Sequence, residues 1–287
     1  MTIPVISGLV AMFFWGINAF FEKKSIDRIG TFKSAIFVHL FLIIYGIPVV
    51  LFNLEFPVLD FDFFVGVILL GFMDFMGLVL FYQAFKVAKI SVVTPIASSY
   101  AIVVAIMSFL FFGEDFGILK MALVIVIVTG ILLLSIDLDE LRKNKKSNIK
   151  GIAYAICIFL IYGIFTPLWD KFIAQGGWPF IVEIERFVIL FFSLFFLLLK
   201  SKRLELRIDK KSLYYTVAIA LCIGTGSTVF GWGLYNSTQT SIIAAISSAY
   251  PLVVALVAYI FLRERLRPNQ YVGIVVVLIG LILITLL

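Results

Sequence analysis

Five ionisable side chains, Asp74, Glu183, Glu185, Arg186 and His39, lie inside long hydrophobic runs. A charge at hydrocarbon depth costs roughly 2.5–3.5 kcal/mol on insertion scales. Such a residue faces a cavity or a partner, so each is a candidate site. Asp74 lies about twelve residues into its run, about 18 Å along a helix, which is close to mid-membrane. Its carboxyl suits a substrate ammonium or a proton; the plainer alternative is a buried carboxyl that ties helices together. Glu183 and Arg186 are three apart and share a helix face, so an internal ion pair is available. Alternatively the planar fork of Arg186 holds a substrate carboxylate. Glu185 points elsewhere, toward the end of the preceding hydrophobic run with its Asp170 and Lys171. His39 is the only histidine. The type ordinarily titrates near pH ~6.5, which suits proton movement, and the alternative is a hydrogen-bonded packing residue.

A softer group puts amides and aromatic rings on the same runs: Trp15, Asn18, Tyr82, Gln83, Trp169, Trp232, Tyr235 and Asn236. Rings and amides suit amphipathic or aromatic solutes through stacking and cation–π contact. The binding set expected from these residues is Asp74, Arg186, Trp15, Asn18, His39, Tyr82 and Trp232. Trp169 and Tyr235, near run ends, fit an interfacial aromatic belt better. Gly224, Thr225 and Gly226 form no nucleotide loop, since they sit at membrane depth without the following Lys. With one His and two Cys inside apolar runs (Cys157, Cys222) there is almost nothing to build a zinc site or thiol catalyst from. No catalytic residue, metal or cofactor is expected. An intramembrane enzyme acting on lipid or peptide would have to use Asp74 with His39, about 2.6–3.2 Å apart. A non-transporting receptor or assembly partner is the third class.

These residues must be positioned by helices. The 287 residues are 63% hydrophobic and 14% charged, with a net charge of +6 and a mean hydropathy of +1.15. Soluble domains carry about 25% charged residues, and no soluble fold of this size hides so much apolar surface. Windows of ~20 apolar residues give ten spans: 3–21, 34–53, 62–84, 90–112, 117–136, 151–172, 179–199, 213–235, 240–262 and 270–287. Twenty of the 23 Lys and Arg residues fall in alternate loops, after the first, third, fifth, seventh and ninth spans. By the positive-inside rule those loops are cytoplasmic and both termini are outside. The same bias accounts for the positive charge, so nucleic acid is not an expected partner. The N-terminus carries no basic stretch before its apolar run, and no cleaved signal peptide is expected there.

The chain also repeats itself. Shifted by 150, residues 91–114 fall on 241–264 with identity at nine positions, among them Tyr100/Tyr250 and Glu114/Glu264; Gly130 then meets Gly280. Nearer the starts of the halves the shift is about 147, so that Gly16 meets Gly163 and His39 meets Arg186. The unit holds five spans, an odd number, so equivalent spans run in opposite directions. Inverted repeats place a pseudo-two-fold axis in the membrane plane and a substrate site near the midplane between halves. Ser98, Ser99, Ser247 and Ser248 fall at equivalent places and read as close-packing positions, while Pro95, Pro167 and Pro251 are candidate kinks.

Two five-span copies, the run Trp15, Gly16, Ile17, Asn18 in the first span, and apolar helices ending at Glu114 and Glu264 resemble the EamA-type family of the drug/metabolite transporter superfamily. The resemblance implies an all-α polytopic fold with ten helices around a central cavity. The boundaries would be a first repeat at 3–137, a basic cytoplasmic linker at 138–150 and a second repeat at 151–287. It further implies a secondary or facilitative transporter in the cell membrane, typically an exporter of small metabolites such as amino acids, working by alternating access. Its partners would be a small-molecule substrate, the lipid bilayer and a coupling proton or ion; the oligomeric state stays open. The chain lacks the mid-membrane Glu in the first span of the small four-span multidrug relatives. Glu22 stands only near the cytoplasmic end of that span.

Overall fold

The computed structural model describes residues 2–53, 61–88, 90–114, 117–135, 145–201, 207–261 and 267–286. Residues 138–144 of the expected linker lie outside these, as do Lys89, Lys202, Arg203, Arg263, Glu264 and Arg265. Among the described residues the chain is helical with no strand. The first half is α1 (Thr2–Ile29), α2 (Thr31–Phe52), α3 (Phe61–Val87), α4 (Ile90–Ser98), α5 (Ala101–Phe112) and α6 (Ile118–Ser135). The second is α7 (Lys145–Gly176), α8 (Trp178–Ser201), α9 (Lys210–Tyr235), α10 (Thr240–Ser247), α11 (Tyr250–Phe261) and α12 (Pro268–Leu286). α4 with α5, and α10 with α11, are single crossings broken near the middle, so twelve helices make the ten expected spans. Eight of these spans are apolar enough to cross a bilayer by length and composition, and α6 is a shorter apolar helix. α8 is the polar exception because it carries Glu183, Glu185 and Arg186.

The repeat is visible in local geometry. A single residue joins the first span to the second in each half, Gly30 with φ 78° and Gly177 with φ 76°. A reversal that tight needs the left-handed region, which only glycine enters without strain. The two glycines are 147 residues apart. Packing repeats in the same way. A Cβ on Gly130 would stand 2.7 Å from the backbone nitrogen of Val277, and one on Gly280 would stand 2.6 Å from the side chain of Ile127. Each contact is the image of the other under the 150-residue shift. Gly16 lies against Val253 while Gly163 lies against Val103; Gly77 lies against Tyr162 while Gly226 lies against Trp15. Reciprocal contacts of this kind are what a two-fold relation generates, so the fold is two inverted five-helix repeats. Missing side chains let helix axes approach where no hydrophobic force between helices operates. The interlocked α6 and α12 bury Ile127, Ile131, Val277 and Leu281 in one apolar cluster.

The serine runs sit at the two broken crossings. Ser98 and Ser99 donate to the Pro95 carbonyl (3.2 and 2.7 Å), Ser247 to Ala244 (3.1 Å) and Ser248 to Ala245 (2.8 Å). The backbone N–H groups of Ser99 and Ala249 turn to Ile96 and Ile246, so these hydroxyls satisfy the Pro95 and Ala245 carbonyls that the breaks would otherwise leave open in an apolar setting. Tyr100 and Ser247 then link the two breaks across the halves at 3.2 Å.

The bundle has two ends. The N-terminal face carries the start of α1 and the end of α7; the basic face carries the end of α1 and the start of α7. On the N-terminal face Glu114 accepts from the Ser241 backbone N–H at 3.1 Å and from the Ser241 hydroxyl, and Asp170 accepts from the Thr240 hydroxyl. Burial pushes the Glu114 carboxyl above its usual range, opposed by the Ser241 donors. On the basic face Arg28 pairs with Asp209 at 2.6 Å.

Candidate functional site

A cavity of about 260 Å³ lies between the halves. Its walls come in pairs that the repeat relates: Trp15 and Tyr162, Asn18 and Phe165, Glu22 and Trp169, His39 and Arg186, Asp74 and Ile223, Tyr100 and Tyr250. A site whose two walls are images of each other straddles the pseudo-two-fold axis, where inverted-repeat proteins hold substrate. Half-helix ends at both broken crossings also reach it, through Ala97, Tyr100 and Tyr250.

The walls are equivalent in position and unlike in chemistry. α1 runs toward the basic face and places Asn18 and Glu22 there. α7 runs the other way and carries the equivalent Phe165 and Trp169 toward the N-terminal face. Trp169 stacks between Phe165 (5.5 Å) and Phe230 (5.8 Å), and Phe230 meets Trp15 at 5.2 Å. One end of the cavity is therefore acidic and the other is an aromatic stack.

Asp74 accepts a hydrogen bond from the Tyr162 hydroxyl at 2.9 Å, and the Glu185 carboxyl lies beside it on the cavity wall. Glu185 thus turns inward across the cavity wall, not toward Asp170 and Lys171 as the sequence suggested. The 100° step per residue between Arg186 and Glu185 points the two side chains in different directions, and the inward one meets α3. Arg186 is 5% exposed and largely spent. It donates to Glu183 (2.9 Å), to the Leu42 carbonyl (3.1 Å), and more weakly to Ser227 and Thr228 (3.4 Å each). Gly46 leaves the space for this ion pair, since a Cβ there would meet the Glu183 carboxylate and the guanidinium. His39 lines the cavity, with Nδ1 held 2.8 Å from the Ala35 carbonyl.

Of the seven expected binding residues, the cavity brings together Trp15, Asn18, His39, Asp74 and Arg186. Tyr82 is buried behind that wall, close to Glu22. Trp232 packs against the apolar cluster around Ile173 and Phe230. Trp169, expected in an interfacial belt, is instead buried on the cavity wall. The sequence reading missed Tyr162, Phe165 and Phe230. The 147-residue shift carries Trp15 onto Tyr162 and Asn18 onto Phe165, so the repeat held that signal. Glu22 was discounted as near a span end, but α1 continues to Ile29 and keeps it inside the bundle. Among the described residues no cluster of His, Cys, Asp and Glu could hold a metal ion.

An inverted-repeat membrane bundle around a mostly apolar cavity with a few polar groups defines the class, a multi-pass membrane protein built as a carrier. The chain belongs to the EamA-like transporter family, which it matches over residues 2–136 and again over 149–286. It is 20% identical to an uncharacterised transporter of Archaeoglobus fulgidus, over 99% of this chain and 98% of that one. It is 27% identical to an uncharacterised protein of Methanocaldococcus jannaschii, over 47% of this chain and 96% of that shorter protein. A solved crystal structure shares the fold with a TM-score of 0.82 at 14% identity, covering 99% of this chain and 98% of the other. The protein is thus a membrane transporter homologue, with a small-molecule substrate and the lipid bilayer as the partners that role entails.

Proposed function

We propose that the protein is a secondary transporter, working in the export direction, that moves small organic metabolites by alternating access. The units that rock against each other are the repeats at 3–137 and 151–287, joined by the linker at 138–150. The observation that carries this reading is the cavity on the pseudo-two-fold axis: exchanging the conformations of two inverted halves turns an opening on one face into an opening on the other. The basic face is cytoplasmic and both termini are outside, as the loop charges require. Asp74, Asn18 and Trp15 contact the solute. Arg186 and His39 shape the wall, Tyr82 holds Glu22 in place, and Trp232 braces the aromatic end. The reading is a transporter and not an enzyme because the chain's family is one of transporters; Asp74 accepts from Tyr162 and His39 Nδ1 is held by Ala35. With no nucleotide-binding motif, accumulation draws on a gradient, and a proton is the coupling ion.

Counterflow in proteoliposomes tests this. Vesicles preloaded with an unlabelled solute should take up the labelled form transiently above equilibrium for at least one of amines, amino acids and sugars. Absence of counterflow for every class in vesicles containing folded protein would refute the reading.

A further inference from the structure

The central cavity stops short of the N-terminal face. A second hollow of about 940 Å³ lies on that face, with Pro4, Glu114, Asp170, Gln175 and Thr240 in its wall. The boundary between the two spaces falls at consecutive residues of α7, since Trp169 lines the cavity and Asp170 the hollow. One apolar cluster separates them: its Trp169 and Phe230 face the cavity, its Leu234 faces the hollow, and Ala11, Ile173 and Ile243 are buried among them. Toward the basic face the cavity reaches Glu22 and Phe85, the latter in the last turn of α3. The described conformation is therefore closed on the N-terminal side.

Above the apolar seal, two carboxylates hold the first turn of α10. Glu114 accepts from the Ser241 backbone N–H at 3.1 Å and from its hydroxyl, and Asp170 accepts from the Thr240 hydroxyl. α10 is the outer piece of a broken crossing and is buried along its whole length. A helix start has N–H groups without partners in their own helix, and its partial positive charge favours a carboxylate. The Ser241 N–H finds that carboxylate in the other half of the chain. Gly113 makes the reach possible. With φ 67° it ends α5 in the left-handed region, and the Glu114 N–H turns back to the Ser108 carbonyl at 3.1 Å, a helix end that favours glycine.

The two contacts differ in what they join. Asp170 and Thr240 belong to the same half, so their bond survives when the halves move apart. Glu114 and Ser241 belong to different halves, so theirs must part before the N-terminal face can open. Glu114 is only half-buried and borders the hollow, where water can take over both partners as the contact parts. Such a bond is worth little net, which lets it open and close repeatedly.

We propose that Glu114 is the latch of the N-terminal face, a positioning residue that shuts the cavity on that side by holding the first turn of α10 across the halves. The Trp169 and Phe230 cluster is the seal beneath it. The latch rests on the transporter reading, because a face that never opens needs none.

The test uses the full chain in oriented proteoliposomes, with Cys157 and Cys222 replaced and Ala19→Cys, which lines the cavity, as reporter. A membrane-impermeant thiol reagent is applied from each face in turn. The readout is the ratio of the two labelling rates, which a general loss of stability does not move in one direction. Glu114→Ala should raise the rate from the N-terminal face over that from the basic face roughly fivefold, the shift that one net hydrogen bond is worth. Glu114→Gln, which keeps an acceptor oxygen, should fall between that value and the unaltered chain. Ser241→Ala loses only the hydroxyl and should move the ratio the same way by less; it is the second variant should Glu114→Ala fail to fold. Thr240→Val frees Asp170 within one half and should leave the ratio alone. An unmoved ratio in both Glu114→Ala and Ser241→Ala, or an equal shift in Thr240→Val, overturns the latch, while two-sided labelling keeps the transporter reading. Labelling from one face alone in every variant overturns both.

Discussion

At Gly130 and Gly280 each half makes the same contact on the other's helix, whereas at equivalent cavity positions one half has Glu22, Asp74 and Asn18 and the other Trp169, Ile223 and Phe165. Where the halves pack they have kept the same small residues, and where they face the cavity they differ almost position by position. The difference separates two jobs. A symmetric scaffold is what lets one conformation be exchanged for its mirror. An asymmetric lining gives the cavity two unlike ends, Asn18 and Glu22 toward the basic face and aromatic rings toward the N-terminal face. The relative in Methanocaldococcus jannaschii, whose length matches about half of this chain, fits a scaffold made from one repeated unit.

The largest way to break this comparison is at Glu183, which has no acidic counterpart in the first half; the equivalent residue there is Ile36. Removing one partner of a buried ion pair leaves an uncompensated charge and costs about 3–5 kcal/mol. Glu183→Ala should therefore lower the unfolding temperature in detergent far more than Ile36→Val, for which about 0.5–1.5 kcal/mol is expected. Equal losses would mean that the Arg186 pair is not held in the buried form described. The next effect tests the symmetric side. Gly130→Val and Gly280→Val each overpack the α6–α12 seam and should each cost about 1–3 kcal/mol. Thermal unfolding should give similar losses for the two, and a large loss for one alone would deny the two-fold seam.

The smallest effect is at the basic face, away from both scaffold and cavity. The Ser212 hydroxyl, followed by the Arg28 guanidinium, holds the exposed Asp209 carboxyl down at about 2. A carboxyl with a lowered pKa stabilises the fold above its ordinary range, and that contribution fades as the pH falls through the lowered value. Asp209→Asn should thus shift the unfolding temperature slightly at neutral pH, with the shift shrinking as the pH falls toward ~2. Solvent screening keeps exposed pairs weak, so a large shift would be unexpected.

Much of the scaffold could be read from the chain because hydrophobic windows and a fixed shift are one-dimensional signals. Gly16, Gly163, Gly130 and Gly280 were aligned by sequence alone, and the structure puts each where its axis-related partner requires. The cavity was less legible because lining depends on which way a side chain turns around its helix. Glu185 and Arg186 are neighbours in sequence, yet one meets Asp74 across the cavity wall and the other Glu183 on its own helix. Trp169 looked like a belt residue because α7 was expected to end at 172, whereas the helix runs to Gly176 and keeps the indole inside. The helix breaks at Ser99 and Ser248 were legible as small-residue runs but not as breaks, since only the lost carbonyl partners show what the hydroxyls do.

Two-sided accessibility of the cavity is the most direct test of alternating access. Ala19 lines the cavity and is small enough to become a cysteine once Cys157 and Cys222 are replaced by serine or alanine. In oriented vesicles, a membrane-impermeant thiol reagent should label Ala19→Cys when applied from either side, in separate experiments, and bound solute should slow both reactions. Labelling from one side only, or from neither, would contradict the account.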